Sequence, residues 1–148
     1  MREFQPARRR APAARLLAVC AATAGAMAAG AAQLTVDVVD VERLGGHVMI
    51  AVYDNAGAWE ASAKPVATAR DSVTGKTVRV RFSGLAPGRY AVKLFHDENN
   101  NGELDANMLG IPVESYGFSN GGGRLGPPSF DDAVFELRDD TTITISLQ

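Results

Sequence analysis

The stretch Thr77–His96, TVRVRFSGLAPGRYAVKLFH, decides the fold. Val78, Val80 and Phe82 alternate with Arg79 and Arg81, the period of a strand with one face buried. Pro87-Gly88 then turns the chain. From Arg89 to His96 the alternation resumes, with Tyr90, Val92 and Leu94 on one face and Ala91, Lys93 and Phe95 on the other, so this run predicts a central strand. Working outward, Leu34–Val39, His47–Val52, Val66–Val73, Ala133–Leu137 and Thr142–Leu147 repeat the pattern, which makes seven candidate strands. No long amphipathic helix interrupts them. Asp54–Lys64 reads as a loop or a single helical turn, capped onto the core by Trp59. The expected fold is an all-β, antiparallel two-sheet sandwich, in one domain spanning residues 33–148.

Residues 1–32 stand apart. Arg2, Arg8, Arg9, Arg10 and Arg15 precede a small apolar run, Leu16–Met27, and Gly30-Ala31-Ala32 offers the small residues that a signal peptidase accepts. The segment reads as a cleaved secretory leader and is too weakly apolar for a membrane anchor, so no membrane span is expected after its removal. The expected location is the periplasm or the extracellular space. Five of the fifteen basic residues and one of the seventeen acidic ones lie in the leader, leaving ten and sixteen, a net charge of −6. An acidic chain with scattered cations does not neutralise a phosphate backbone, so nucleic acid is not an expected partner. Cys20, the single cysteine, falls in the leader, which leaves no thiol chemistry for the remainder. The expected partner is an envelope or extracellular ligand.

Beyond His96 the strand pattern stops for 36 residues, from Asp97 to Asp132. The excursion opens with Asp97, Asn99, Asn101 and Asp105 spaced around Gly102, a D-x-N-x-N-G-x-x-D run. Calcium is a hard ion needing six to eight oxygens, and alternate oxygen side chains on a tight turn aim several at one point. The candidate ligands are therefore Asp97, Asn99, Asn101 and Asp105, with the Glu103 backbone carbonyl. The twelfth position, where an EF-hand carries a bidentate glutamate, is Met108; Glu114, Asp131 or Asp132 would have to fold back to replace it. The competing reading is an Asx-rich turn whose side chains bond their own backbone. Leu104, Met108, Leu109, Ile111, Val113, Tyr116, Phe118, Leu125 and Phe130 are expected to pack this long loop down. Its turns are expected at 110–112, 116–118 and 126–128, with a mobile tip at Gly121–Gly123.

The phrases GLAPGRYAVKLFHDENNNGELDANMLGIPVESYGFSN and GRLGPPSFDDAVFEL resemble the bacterial family catalogued as domain of unknown function 2141, small exported proteins. The resemblance runs from Leu34 to Leu147. It implies an immunoglobulin-like or transthyretin-like sandwich and no particular activity. The Gly84–Tyr90 turn is similar to one in the B-type repeats of surface proteins, some of which carry a calcium loop of this spacing.

Two functions follow as expectations. The first is a non-enzymatic exported module whose long loop is ordered by Ca²⁺ and presents Tyr116, Phe118 and Phe130 for contact. The alternative is a small hydrolase or carbohydrate-acting enzyme using His96 with Asp97, Glu103 or Asp105. No nucleophile elbow, H-E-x-x-H helix or glycine-rich phosphate loop supports the second.

Overall fold

The computed structural model describes residues 30–123 and 125–148. The basic leader, with Arg8–Arg10 and Cys20, lies outside the described residues.

Among the described residues, eight strands and two short helices follow in the order β1 (Ala32–Val39), β2 (His47–Tyr53), α1 (Ala56–Glu60), β3 (Ala67–Ser72), β4 (Val78–Leu85), β5 (Gly88–Asp97), β6 (Tyr116–Phe118), α2 (Phe130–Ala133), β7 (Phe135–Leu137) and β8 (Thr141–Ser146). One sheet has the order β4-β1-β8 and the other β3-β2-β5-β6, with β7 also paired to β5. The all-β sandwich is therefore present, with one strand more than the seven read from the sequence. The extra one is β6, inside the excursion at a place expected to turn; three residues are too few for an alternating pattern to register. Pairing is antiparallel except between β1 and β8, which run parallel.

The core lies between the sheets. Leu34, Val36 and Val38 of β1, Val48, Ile50 and Val52 of β2, Val78, Val80 and Phe82 of β4, and Tyr90, Val92 and Leu94 of β5 form one buried cluster. Each set comes from alternate positions, as a strand buried on one face requires. Tyr90 closes the turn before it: its hydroxyl donates to the Ala86 carbonyl at 2.7 Å.

A second, smaller cluster sits on the outer face of the larger sheet, where Trp59, Tyr53, Ala91, Phe118, Phe130 and Ala133 pack together. Asn55 starts α1 by accepting from the Ala58 N–H at 2.8 Å, and that turn brings Trp59 down onto the sheet. Trp59 is 1% exposed and donates Nε1–H to the Pro128 carbonyl at 2.9 Å. Its role is packing, and it gathers Tyr53, Phe118 and Phe130 edge-on around it.

Candidate functional site

Residue parity along β5 settles which side chains meet the loop. Tyr90, Val92, Leu94 and His96 share the inner face; Ala91, Lys93, Phe95 and Asp97 share the outer one. His96 is accordingly 1% exposed, inside the sandwich, with Nε2 2.7 Å from the Gly45 carbonyl. His96 and Asp97 are neighbours in sequence and point to opposite faces, so they do not form one of the three pairs that the alternative enzymatic reading offers.

Asp97 is fully buried and anchors the loop. Its Oδ1 accepts the Asn101 N–H and its Oδ2 the Gly102 N–H, both at 3.0 Å. Gly46 is the reason that this end of β5 can be approached so closely. It has φ +66°, and a Cβ there would stand 2.3 Å from the Asp97 carbonyl oxygen. Asn99 Oδ1 also accepts the Asn101 N–H, at 2.9 Å, and Asn101 Oδ1 accepts the Glu103 N–H at 2.8 Å. The two asparagine amides then converge on Asp105: Asn99 Nδ2 donates to Oδ2 at 2.6 Å and Asn101 Nδ2 to Oδ1 at 2.9 Å. Four of the five expected ligand residues are thus joined through their side chains, and Glu103 joins through its backbone N–H.

Glu114 completes the arrangement. Its carboxylate folds back on the loop, Oε1 accepting the Glu98 N–H at 2.9 Å and Oε2 the Asp105 N–H at 3.0 Å. One side chain, 7% exposed, therefore clamps both ends of the turn. The other two acids expected to reach back are engaged elsewhere. Asp131 pairs with Arg89 at 3.0 Å, and Asp132 accepts from Ser129, the residue that caps α2. Outside the clamp, Arg43 pairs with Glu98 at 2.8 Å, and His47 Nδ1 contacts Asn100 Oδ1, which fixes the left-handed Asn100, φ 64°.

This ring is an Asx-turn network in which side-chain oxygens already meet backbone N–H groups. Among the described residues no group of three or more His, Cys, Asp or Glu side chains is placed to hold a metal. The donor set available to a cation is two carboxylates, two amide oxygens and a carbonyl, the hard-oxygen chemistry of Ca²⁺. A bound ion would replace the two amide contacts to Asp105.

The rest of the excursion differs from expectation in what it buries. Met108 and Leu109 are almost fully exposed, and Ile111, Val113 and Leu125 are exposed as well. The tip holds its shape by polar bonds instead: Asn107 Oδ1 accepts the Leu109 and Ile111 N–H groups at 2.9 and 3.1 Å. Phe118 and Phe130, expected to face a partner, are buried around Trp59, and Tyr116 is half-buried. The tip expected to be mobile is held: Gly123 is buried, Tyr116 donates to its carbonyl at 3.0 Å, and Gln148 Nε2 donates to the Gly122 carbonyl.

A family model described as "Uncharacterized protein conserved in bacteria (DUF2141)" matches residues 36–145. The chain belongs to this family. The matched span takes in nearly all of the sandwich and the whole 97–114 loop, so the clamp lies within the DUF2141 region. No curated protein and no solved structure matches the chain.

Proposed function

We propose that this DUF2141 chain is an exported, non-enzymatic β-sandwich module whose 97–105 loop takes up Ca²⁺ weakly, through Asp97, Asn99, Asn101, Asp105 and the Glu103 carbonyl. The carrying observation is the Glu114 clamp. A loop that only turned the chain would be served by its own Asx bonds, whereas here a carboxylate nine residues on is spent on fixing Glu98 and Asp105 in place. That preorganises the turn around the two aspartates. Weak binding follows because Asp97 and Asp105 are the only charged side chains in the set, and extracellular calcium modules commonly have Kd near 10⁻⁴ to 10⁻³ M. The buried position of His96 favours this reading over a hydrolase. Export rests on the basic leader and its small-residue end. The test of the metal is a Ca²⁺ titration followed by amide chemical shifts. Saturable shifts confined to residues 97–114, with Mg²⁺ producing much smaller ones, are expected; unchanged shifts through millimolar Ca²⁺ overturn it. The test of export is the intact mass of the protein from the envelope or secreted fraction, expected to begin near Gln33; a retained Met1 overturns it.

A further inference from the structure

The outer face of the larger sheet carries a groove of about 780 Å³, in the size range of small-molecule sites, that the loop network does not use. Its floor is made of two cross-strand rows. Arg70, Met49, Phe95 and Tyr116 lie in register across β3, β2, β5 and β6; beside them run Thr68, Ala51, Lys93 and Phe118. At the usual strand spacing each row spans roughly 14 Å. Trp59 closes one side, and Leu104 of the excursion lines the groove too.

The groove is lined mainly by apolar side chains, and of its three charged residues, Arg70, Lys93 and Glu60, two are cationic. Among the described residues neither Arg70 nor Lys93 pairs with a carboxylate. Arg70 Nη2 meets His47 Nδ1 at 3.1 Å and Asn100 Oδ1 at 3.4 Å, leaving most of its five donors free. Lys93 Nζ donates to the Trp59 carbonyl at 2.7 Å and to Ser62 Oγ at 3.1 Å, over the faces of Trp59 and Tyr53. Burial holds this ammonium below the ordinary lysine range, with Glu60, which also lines the groove, opposing the shift. A cation kept partly desolvated beside apolar floor gains from a bound anion, and an uncharged apolar guest would leave that gain unused.

We propose that this groove binds a small amphipathic carboxylate, its head on the Arg70 guanidinium and its chain along Met49 and Phe95 toward Tyr116. Arg70 offers the planar fork that matches a carboxylate, and Lys93 adds positive potential from the adjacent row. The probe is decanoate, below the concentration at which it forms micelles. Trp59, the single tryptophan, lines the groove and reports occupancy by its emission. Decanoate is expected to change that emission saturably, decanol to bind at least about tenfold more weakly, as the loss of one charge-assisted bond implies, and acetate to have no effect at the same concentrations. Arg70→Gln, at an exposed position, is expected to weaken decanoate about tenfold and leave decanol unchanged. Ala51→Leu, which fills the floor, abolishes the response, with circular dichroism confirming that both variants fold. No saturable change with decanoate, decanol equal to decanoate, acetate as effective as either, or an unaltered Arg70→Gln overturns the proposal.

Discussion

Asp97 does two jobs that its neighbours in the loop do not share, because it is buried and both of its oxygens accept backbone N–H groups. An amide at this position keeps one acceptor oxygen. Asp97→Asn therefore loses one of these two bonds and turns a buried amide NH₂ toward a backbone N–H, at about 1 to 3 kcal/mol, and lowers the melting temperature by several degrees even in chelator. Asp105 receives only side-chain amides, so Asp105→Asn is expected to spare the metal-free melting temperature and reduce its response to Ca²⁺. Thermal melts of both variants with and without Ca²⁺ separate the structural role of Asp97 from the ligating role proposed for both carboxylates. Glu114→Gln also loses an acceptor at one end of the clamp, and is expected to weaken Ca²⁺ binding without contributing a ligand. Far from the loop, Arg79 holds the Asp37 carboxyl below its usual value, chiefly by hydrogen bonding at 2.6 and 2.7 Å. A depressed carboxylate contributes stability that is present above its unfolded value, about 3.8, and is lost as pH falls through the lower folded one. Asp37→Asn is expected to flatten that acid limb in a series of urea melts.

At the scale of elements, strands with alternating burial were legible and short irregular ones were not. Thr77–His96 foretells β4 and β5 with their faces correctly assigned, since Val78, Val80, Phe82, Tyr90, Val92 and Leu94 all enter the core. The same alternation contains the answer about His96: continued by one more pair of residues, it puts His96 inside and Asp97 outside. The oxygen spacing around Gly102 foretells that Asp97, Asn99, Asn101 and Asp105 gather. That Glu114, and not Asp131 or Asp132, folds back depends on β6 pairing with β5 through Tyr116–Phe118, a tertiary fact with no local signature. Hydrophobicity misleads at the tip, where Met108 and Leu109 face solvent on a turn built from Asn107 bonds. Met108→Ser and Leu109→Ser are expected to change unfolding free energy by no more than about 0.5 kcal/mol. Phe118→Ala or Phe130→Ala, which open the cluster around Trp59, cost about 3 to 5 kcal/mol in the same urea unfolding assay.

In the whole molecule the two sheets divide the work. The small sheet, with β1 in its middle, closes the core, and the larger one carries loop, clamp and groove on the face turned away from it. Ala32, placed at the end of the leader by sequence, is buried as the first residue of β1 and paired with Leu85. Removal of the preceding chain up to Gln33 leaves the rest of that strand intact, whereas truncation past Val39 removes the central strand of its sheet and is expected to abolish the β-dominated circular dichroism spectrum. On the proposed reading, calcium would stabilise one loop of the sandwich. Ligand linkage sets the size of its effect: at about ten times Kd the folded state gains roughly 1.4 kcal/mol, which raises the melting temperature of a domain of this size by several degrees. The direct measurement is thermal unfolding of the protein in chelator and in millimolar Ca²⁺, with Mg²⁺ as control. A rise of several degrees with Ca²⁺ and little with Mg²⁺ is the predicted result; one melting temperature in all three conditions would contradict the calcium site and leave the 97–105 network as an Asx turn alone.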